Sequence, residues 1–193
     1  MISKEEMLAM FKETGALLSG HFLLTSGLHS PQYFQCALLL QYPWHMTRLC
    51  TEIARAFAEK DVDVVIAPAV GGILVAQEVG RILNKRSIFA ERQEGVMSLR
   101  RGFTIRPGEK VLVTEDVITT GGSVREVVDL VRNHGGQVVG FGVIVDRSGG
   151  SFRMDVPVVS LLQMDVVVHQ PDACPLCADG IPIVKPGSRK TKT

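Results

Sequence analysis

Short runs of aliphatic and β-branched residues alternate with helical patterns along most of the chain. An apolar run of about four to eight residues predicts a strand buried on both faces, whereas apolar positions three or four residues apart predict an amphipathic helix. These patterns predict helices over 46–60, 72–83 and 124–135, and strands over 62–68, 87–92, 137–146, 156–162 and from Val111 onward. The alternation predicts an α/β fold, with a parallel sheet of about five strands flanked by helices.

The two ends of the chain carry different patterns. Ser3 and Glu6 form a capping box ahead of a helical pattern that runs to Leu18, and residues 21–27 then read as an extended segment ending in a glycine turn. We expect residues 1–40 to contribute to a small hood, built from both ends of the chain, over the carboxyl edge of the sheet. Residues 1–184 are expected to form one domain, followed by a flexible, basic tail over 185–193.

Composition narrows the class of protein. A chain of 193 residues, 46% hydrophobic and 21% charged, is long enough for one substantial core. Its net charge of +1 offers no basic surface for a nucleic acid. It shows no targeting pattern and no apolar stretch long enough for a bilayer, and its four cysteines are too few for a disulfide scaffold. We therefore expect a cytoplasmic enzyme with small-molecule substrates and with neither nucleic acid nor membrane as a partner.

The run VLVTEDVITTGGS at 111–123 carries the clearest chemistry. Small residues in its turn let backbone N–H groups converge, and the helix that follows adds its unpaired N–H donors. Charge-assisted hydrogen bonds contribute about 1.5–3 kcal/mol each, against about 0.3–1 kcal/mol for the helix dipole, so the aimed donors decide phosphate affinity. Glu115 and Asp116 end the strand, where they can accept hydrogen bonds from ribose hydroxyls. The turn residues that would hold the phosphate are Thr119, Thr120, Gly121, Gly122 and Ser123.

Two alternatives apply to such turns. A strand–turn–helix connection with solvated acids is the common explanation for a lone Gly-Gly-Ser, but the acidic pair and the other polar positions favour a site for a phosphorylated sugar. Gly71 and Gly72 also follow an apolar strand and precede a helix, so they are candidates for a second anion site at the same edge. Taken alone, that pair is more often a tight turn.

The 111–123 run resembles the phosphoribosyl-pyrophosphate (PRPP) motif of the type I phosphoribosyltransferases. The likeness is greatest to the members of that family that act on orotate, and it covers most of the chain, in the segments TSGLHSPQYFQCALLL, VIAPAVGGILVA and VIVDRSGG. The resemblance implies transfer of ribose 5-phosphate from PRPP to orotate, a step of pyrimidine biosynthesis. Glu115 and Asp116 would then hold the ribose and face the positive charge that develops in the transition state.

The long polar connection over 90–110 is either functional or a solvated hairpin. The resemblance implies a loop that closes over the active site and reaches the neighbouring subunit of a homodimer. It makes Arg92 a ligand of the donor phosphates, and Arg100 and Arg101 are candidates for charge stabilisation during catalysis. Gln93 stands where the family has its catalytic lysine, and Thr25 and Gly71 replace two further lysines. An arginine supplies charge there but no proton.

The acceptor site is expected at two other segments. Tyr33 and Phe34 follow a Ser-Pro turn and could offer a flat wall to the base, although aromatic residues are more often core. Arg147 ends a strand at the carboxyl edge and could pair with the carboxylate of orotate, the alternative being a surface arginine paired with Asp146. Thr119 would contact the same base.

The resemblance also implies Mg²⁺, held mainly by the donor's oxygens, with Asp116 as a candidate ligand through water. Two other functions share the donor site: a purine phosphoribosyltransferase, which needs no Arg147 beside a carboxylate, and a regulator that senses PRPP with little catalysis. The absent loop lysine favours the regulator, whereas the near-neutral charge disfavours one that binds DNA.

Cys174 and Cys177, in the run CPLC, have the spacing of half a zinc site. A closed zinc site needs four ligands, and Cys36 and Cys50 stand alone while His169 is a candidate third. We favour a turn with two packed thiols over zinc. No metal spacing links the remaining histidines, His21, His29, His45 and His134.

Overall fold

A six-stranded sheet forms the centre of the molecule in the computed structural model, which describes residues 2–24, 26–164 and 167–186. The strand order is β5-β4-β3-β6-β7-β8, and all neighbours are parallel except β5, which runs antiparallel to β4 at one edge. The strands are β3 (Val64–Pro68), β4 (Arg86–Gln93), β5 (Val96–Leu99), β6 (Lys110–Ile118), β7 (Gln137–Asp146) and β8 (Val158–Gln163). The chain moves outward from β3 to β4 and returns to β6, so the switch point, where such sheets bind ligands, lies between β3 and β6.

Helices cover both faces of this sheet. The helices are α1 (Lys4–Glu13), α2 (Ala37–Leu40), α3 (Pro43–Ala56), α4 (Gly72–Leu83), α5 (Gly122–Asn133) and α6 (Pro175–Ala178). Helices α1 to α4 pack with Val65 and Leu112 in one core, and α5 packs with Ile66 and Val113 in the other. Because successive strand residues point to opposite faces, continuous apolar runs such as 64–67 supply both cores. Among the described residues, no helix is long and apolar enough to span a bilayer.

The α/β class and the five parallel strands are confirmed, and α4 has the predicted bounds. The capping box is present, since Ser3 Oγ accepts the Glu6 N–H at 3.1 Å and the Ser3 N–H donates to Glu6 Oε2 at 2.8 Å. The predicted helix end at Leu18 is wrong. Helix α1 ends at Glu13, and Gly15 then adopts φ +68°, a left-handed conformation that closes a helix.

The connection over 90–110 is more ordered than an irregular loop. Glu94 and Gly95 have φ of 52° and 86°, and they join β4 to β5 as a two-residue hairpin turn. Met97 on β5 is buried beneath this hairpin. Residues 86–99 therefore form a hairpin, whose role at the site stays a prediction, and β5 is a sixth strand that the apolar pattern did not reveal.

Both ends of the chain build the hood. Strands β1 (Leu17–Leu23) and β2 (His29–Phe34) form an antiparallel pair, and bridges join Phe22 to Val184 and His29 to His169. The C-terminal segment over 167–186 thus lies against the N-terminal hairpin. Residues 187–193, most of the expected tail, lie outside the described part of the chain.

Candidate active site

The two predicted acids lie near the end of β6, at the switch point. Glu115 is only 8% exposed, and its Oε1 accepts the Asp116 N–H at 3.2 Å. Asp116 is half-buried, and its Oδ1 accepts the Val117 N–H at 2.9 Å. These bonds to adjacent backbone hold both carboxylates in defined positions.

The glycine pair at the start of α4 lies directly against these acids. A Cβ atom at Gly71 would lie 2.5 Å from Asp116 Oδ2, and one at Gly72 would lie 2.8 Å from Glu115 Oε1 and 2.8 Å from Ala67 Cβ. Only residues without a side chain allow this approach. The structure therefore brings the two predicted anion loops and the acids into one site, and the positive end of α4 faces the carboxylates.

The turn after β6 combines a left-handed glycine with the start of a helix, two features that the proposed phosphate site requires. Gly121 has φ +75° and precedes the first turn of α5, and a Cβ there would overlap the ring of Phe152. Thr119, Thr120 and Gly122 are exposed, and Ser123 is half-buried. Because the first turn of a helix leaves N–H groups without intrahelical acceptors, donors converge at this turn. Phe152 is a supporting residue that no sequence motif indicated.

Arg147 follows β7, and its backbone N–H donates to the Ile118 carbonyl at 2.9 Å, which ties it to the end of β6. Its side chain is half-buried, and the buried Nε has no hydrogen-bond partner among the described residues. Burial lowers the pKa of the Arg147 guanidinium. Asp146 instead accepts the Ser148 N–H at 2.8 Å, so the alternative of a surface pair does not hold. A cation in this state is prepared to bind an anionic ligand.

The two candidate aromatic residues have different environments. Phe34 is 4% exposed and packs edge-on against Phe11 with ring centroids 5.3 Å apart, while the Arg147 Cζ lies 5.5 Å from its ring centroid. Tyr33 is half-buried, and burial raises the pKa of its phenol, an effect that the charge of Arg147 opposes and that of Asp116 increases. Phe34 therefore belongs to the core and supports Arg147, whereas Tyr33 has surface left at the site. Their contact with a base stays a prediction.

Cys36 is a neighbour of the site that sequence reasoning set apart as isolated. Burial raises the pKa of its thiol, and the negative charges of Asp116 and Glu115 raise it further. It comes two residues after Phe34, at the end of the strand that enters the site. This place shortly after Phe34 is the only feature of the sequence that could have indicated Cys36 as a neighbour of the site.

The three candidate arginines lie on or beside the β4–β5 hairpin and pair with two acidic residues, Glu126 and Glu91. Arg92 forms a bidentate pair with Glu126 of α5, with both N···O distances at 2.7 Å. Arg101 Nε donates to Glu91 at 2.9 Å, and Arg100 lies 3.7 Å from the same carboxylate. Their roles at a donor phosphate stay predictions. Of the positions that depart from the family's lysines, Thr25 lies outside the described residues.

A mostly parallel sheet with two glycine loops and two carboxylates at its switch point is typical of the α/β proteins that bind their ligand at the carboxyl ends of the strands. A family model described as the phosphoribosyl transferase domain matches residues 44–174. The orotate phosphoribosyltransferase of Pelotomaculum thermopropionicum is 58% identical over 189 residues, covering 98% of this chain and 100% of that protein. That of Caldicellulosiruptor saccharolyticus is 54% identical over 191 residues, covering 99% and 100%.

A solved structure gives the same result. The crystal structure of orotate phosphoribosyltransferase from Aeropyrum pernix aligns with a TM-score of 0.69 and 27% identity, covering 81% of this chain and 92% of that one. The chain belongs to the orotate phosphoribosyltransferase family.

Proposed function

We propose that the chain transfers ribose 5-phosphate from PRPP to orotate and releases orotidine 5′-phosphate and pyrophosphate. The observation that carries the choice of orotate is Arg147, whose buried Nε has no partner among the described residues. Orotate differs from other nucleobases by its carboxylate, and a guanidinium pairs with a carboxylate through two parallel hydrogen bonds. A purine acceptor would leave this cation without a partner.

The donor would occupy the two glycine loops. The turn over 119–123 donates backbone N–H groups to the 5′-phosphate, and the loop at Gly71 and Gly72 receives the pyrophosphate. Glu115 and Asp116 accept hydrogen bonds from the ribose hydroxyls. This assignment is supported by the contact between the glycine pair and the acids, because pyrophosphate and ribose are adjacent in PRPP.

The reaction needs no protein nucleophile. The orotate ring nitrogen gives up its proton to the departing pyrophosphate or to water and forms a bond to C1′, while the bond from C1′ to the pyrophosphate oxygen breaks and pyrophosphate leaves with the electron pair. Positive charge develops on the ribose in an oxocarbenium-like transition state. Glu115 and Asp116 face that charge, so catalysis comes from positioning and electrostatic stabilisation.

The acid pair also fits Mg²⁺, which prefers carboxylate, phosphate and water oxygens. Asp116 Oδ2 faces Gly71, so a carboxylate oxygen points toward the loop proposed for pyrophosphate. We propose that the ion is held mainly by donor oxygens, with Asp116 as a ligand through water. When bound, Mg²⁺ neutralises charge on the leaving group, which this chain surrounds with few lysines.

A homodimer with a shared hairpin would add cations to this site. Arg100 and Arg101 follow β5, whose first residue, Val96, is exposed, and we propose that they reach a partner's donor site. Mixing an Asp116→Asn protein with an Arg100→Ala/Arg101→Ala protein tests this. Recovery of activity supports sharing, because the mixed dimer contains one site with both elements intact. Equal inactivity of the mixture and its components would place the arginines in their own chain's site.

The function itself is tested by the loss of orotate absorbance in the presence of PRPP, with and without Mg²⁺. We expect turnover with orotate and none with adenine or hypoxanthine. Turnover with a purine and none with orotate would show that the acceptor is a purine. PRPP binding without turnover of any base would instead identify a regulator.

A further inference from the structure

Four potential metal ligands from opposite ends of the chain meet in the hood. His21 lies on β1, His29 begins β2, Cys174 is the N-cap of the short helix α6, and Cys177 lies within that helix. One ligand atom from each lies within 4.8 Å of all the others. The group shares no residue with the donor or acceptor site.

The distances match those of a tetrahedral site. Metal bonds of about 2.0 Å to nitrogen and 2.3 Å to sulfur place adjacent ligands roughly 3.3 Å apart for two nitrogens and roughly 3.6 Å apart for nitrogen and sulfur. His21 Nε2 lies 2.9 Å from His29 Nδ1, 3.6 Å from Cys174 Sγ and 3.7 Å from Cys177 Sγ. Cys177 Sγ lies 3.3 Å from His29 Nδ1. An ion would need only small shifts of these side chains.

A hydrogen bond to a residue outside the four-ligand group orients His21 as a ligand. Its Nδ1 lies 2.7 Å from the Ile181 carbonyl oxygen, which can only accept a hydrogen bond. Nδ1 therefore carries the proton, and Nε2 presents its lone pair to His29 and the two sulfurs. A second hydrogen bond of this kind is usual for histidines that bind metals, because it sets the tautomer and the ring orientation.

Three of the four residues are buried, which distinguishes them from ordinary surface side chains. His21, His29 and Cys174 are 2%, 7% and 4% exposed. Within the described residues 167–186, Cys174 alone is buried, so this segment has no apolar core that could hold it against the hood. Small units without a core commonly depend on a metal or a disulfide, and the cysteines here are free.

We propose that His21, His29, Cys174 and Cys177 bind one structural Zn²⁺ that joins the C-terminal segment to the β1–β2 hairpin. Two thiolates and two imidazoles in a tetrahedral arrangement suit zinc, and four protein ligands leave no open position for catalysis. The sequence favours two packed thiols at CPLC, and in our proposal a zinc site takes the place of that interpretation. His169, the candidate third ligand, instead pairs through its backbone with His29.

Metal analysis of tag-free protein, purified without chelators, tests the proposal. We expect about one zinc per chain in the wild type and at least about tenfold less in His29→Gln and Cys177→Ser. His134→Gln is the matched control, since this exposed histidine is the C-cap of α5 and does not belong to the four-residue group, and it should keep its zinc. Hydrogen exchange should rise in 167–186 on loss of the metal, while the exchange of α5 stays unchanged.

Cobalt provides a test that does not depend on variants. Adding Co²⁺ to the metal-free wild type should produce the visible bands of tetrahedral cobalt and a thiolate charge-transfer band. Wild-type protein without zinc and without these bands would overturn the proposal. So would a disulfide between Cys174 and Cys177 in the freshly purified protein, or full zinc content in both ligand variants.

Discussion

Replacing Arg147 with methionine should separate stability from function. The change removes the guanidinium, whose Cζ lies over the Phe34 ring, but keeps most of the apolar stem. The buried Nε has no partner among the described residues, so Arg147 carries an unsatisfied donor in the free protein, and the proposed contact with the orotate carboxylate would satisfy the guanidinium. We therefore expect Arg147→Met to lose activity with little change in stability.

The expected losses of activity and stability follow from the contacts of Arg147 in the orotate-bound and in the free protein. Two charge-assisted hydrogen bonds to the orotate carboxylate contribute about 1.5–3 kcal/mol each, so their loss costs about 3–6 kcal/mol. At about 1.4 kcal/mol per factor of ten, kcat/KM for orotate should fall roughly 10²–10⁴-fold. In the free protein, removing an unsatisfied buried donor returns about 1–3 kcal/mol, whereas the lost contact with the Phe34 ring costs about 0.5–2 kcal/mol. The free energy of unfolding should thus lie between about 1 kcal/mol below and about 2.5 kcal/mol above that of the wild type.

The assay compares orotate with uracil, which lacks the carboxylate, and urea denaturation reports stability. The variant should lower kcat/KM for orotate but change that for uracil by less than about threefold. Arg132→Met is the control, because Arg132 pairs with the exposed Asp155 near the end of α5. The reasoning is refuted if Arg147→Met unfolds more easily than wild type while its preference for orotate over uracil is unchanged.

Three further predictions concern other residues. Asp116→Asn should lower kcat roughly 10²–10³-fold, because the charge facing the ribose is lost, with little change in the urea midpoint. Gly121→Ala should lower Tm and weaken PRPP binding in a titration, because its left-handed conformation costs an alanine about 1–2 kcal/mol and the added methyl overlaps Phe152. Glu78→Gln should lower the free energy of unfolding at neutral pH by about 1–3 kcal/mol, because the Glu78 carboxylate is buried and bound by Arg81. The hydrogen bonds of Arg81 lower the pKa of Glu78, so this stabilisation is complete above the usual carboxyl pKa and disappears as pH falls through the lowered value.

Each of these predictions has its own control. Equal turnover of Asp116→Asn and wild type would contradict the role of that carboxylate. Gly122→Ala should keep near-normal stability, because a Cβ there meets only Thr120 Oγ1 at 3.8 Å, and a comparable loss in both variants would reject the argument from Gly121. Asp155→Asn breaks an exposed pair and should change stability by less than about 1 kcal/mol. A pH-independent effect of Glu78→Gln would exclude the charge as its cause.

Much of the active site could be predicted because its parts are close together in sequence or lie at one edge. Glu115, Asp116 and the turn over 119–123 belong to one strand–turn–helix unit, whose chemistry follows from local order. The approach of Gly71 and Gly72 to the acids also follows, since parallel strands place their carboxyl ends at the same edge. The structure added the closeness of that contact, which only glycine allows.

Other features depend on partners that no local pattern reveals. Strand β5 has four residues and lies at an edge, so it lacks the long apolar run of a central strand. Tyr33 and Phe34 are adjacent and chemically alike, yet strand alternation directs Phe34 into the core. The sequence predicts Arg92 as a phosphate ligand and Arg100 and Arg101 as stabilising charges, but it could not reveal Glu91 and Glu126, the partners that packing supplies.

The sequence by itself determined the parallel sheet, the helices that cover it and the cradle at the end of β6, because periodicity and turn chemistry act over a few neighbouring residues. Tertiary structure alone decided the group formed by His21, His29, Cys174 and Cys177. Cys174 lies 153 positions from His21, and neither pair has the spacing of a complete site. Their meeting depends on the path by which the chain's last described segment returns to the β1–β2 hairpin, and that path is set by the packing of the whole fold.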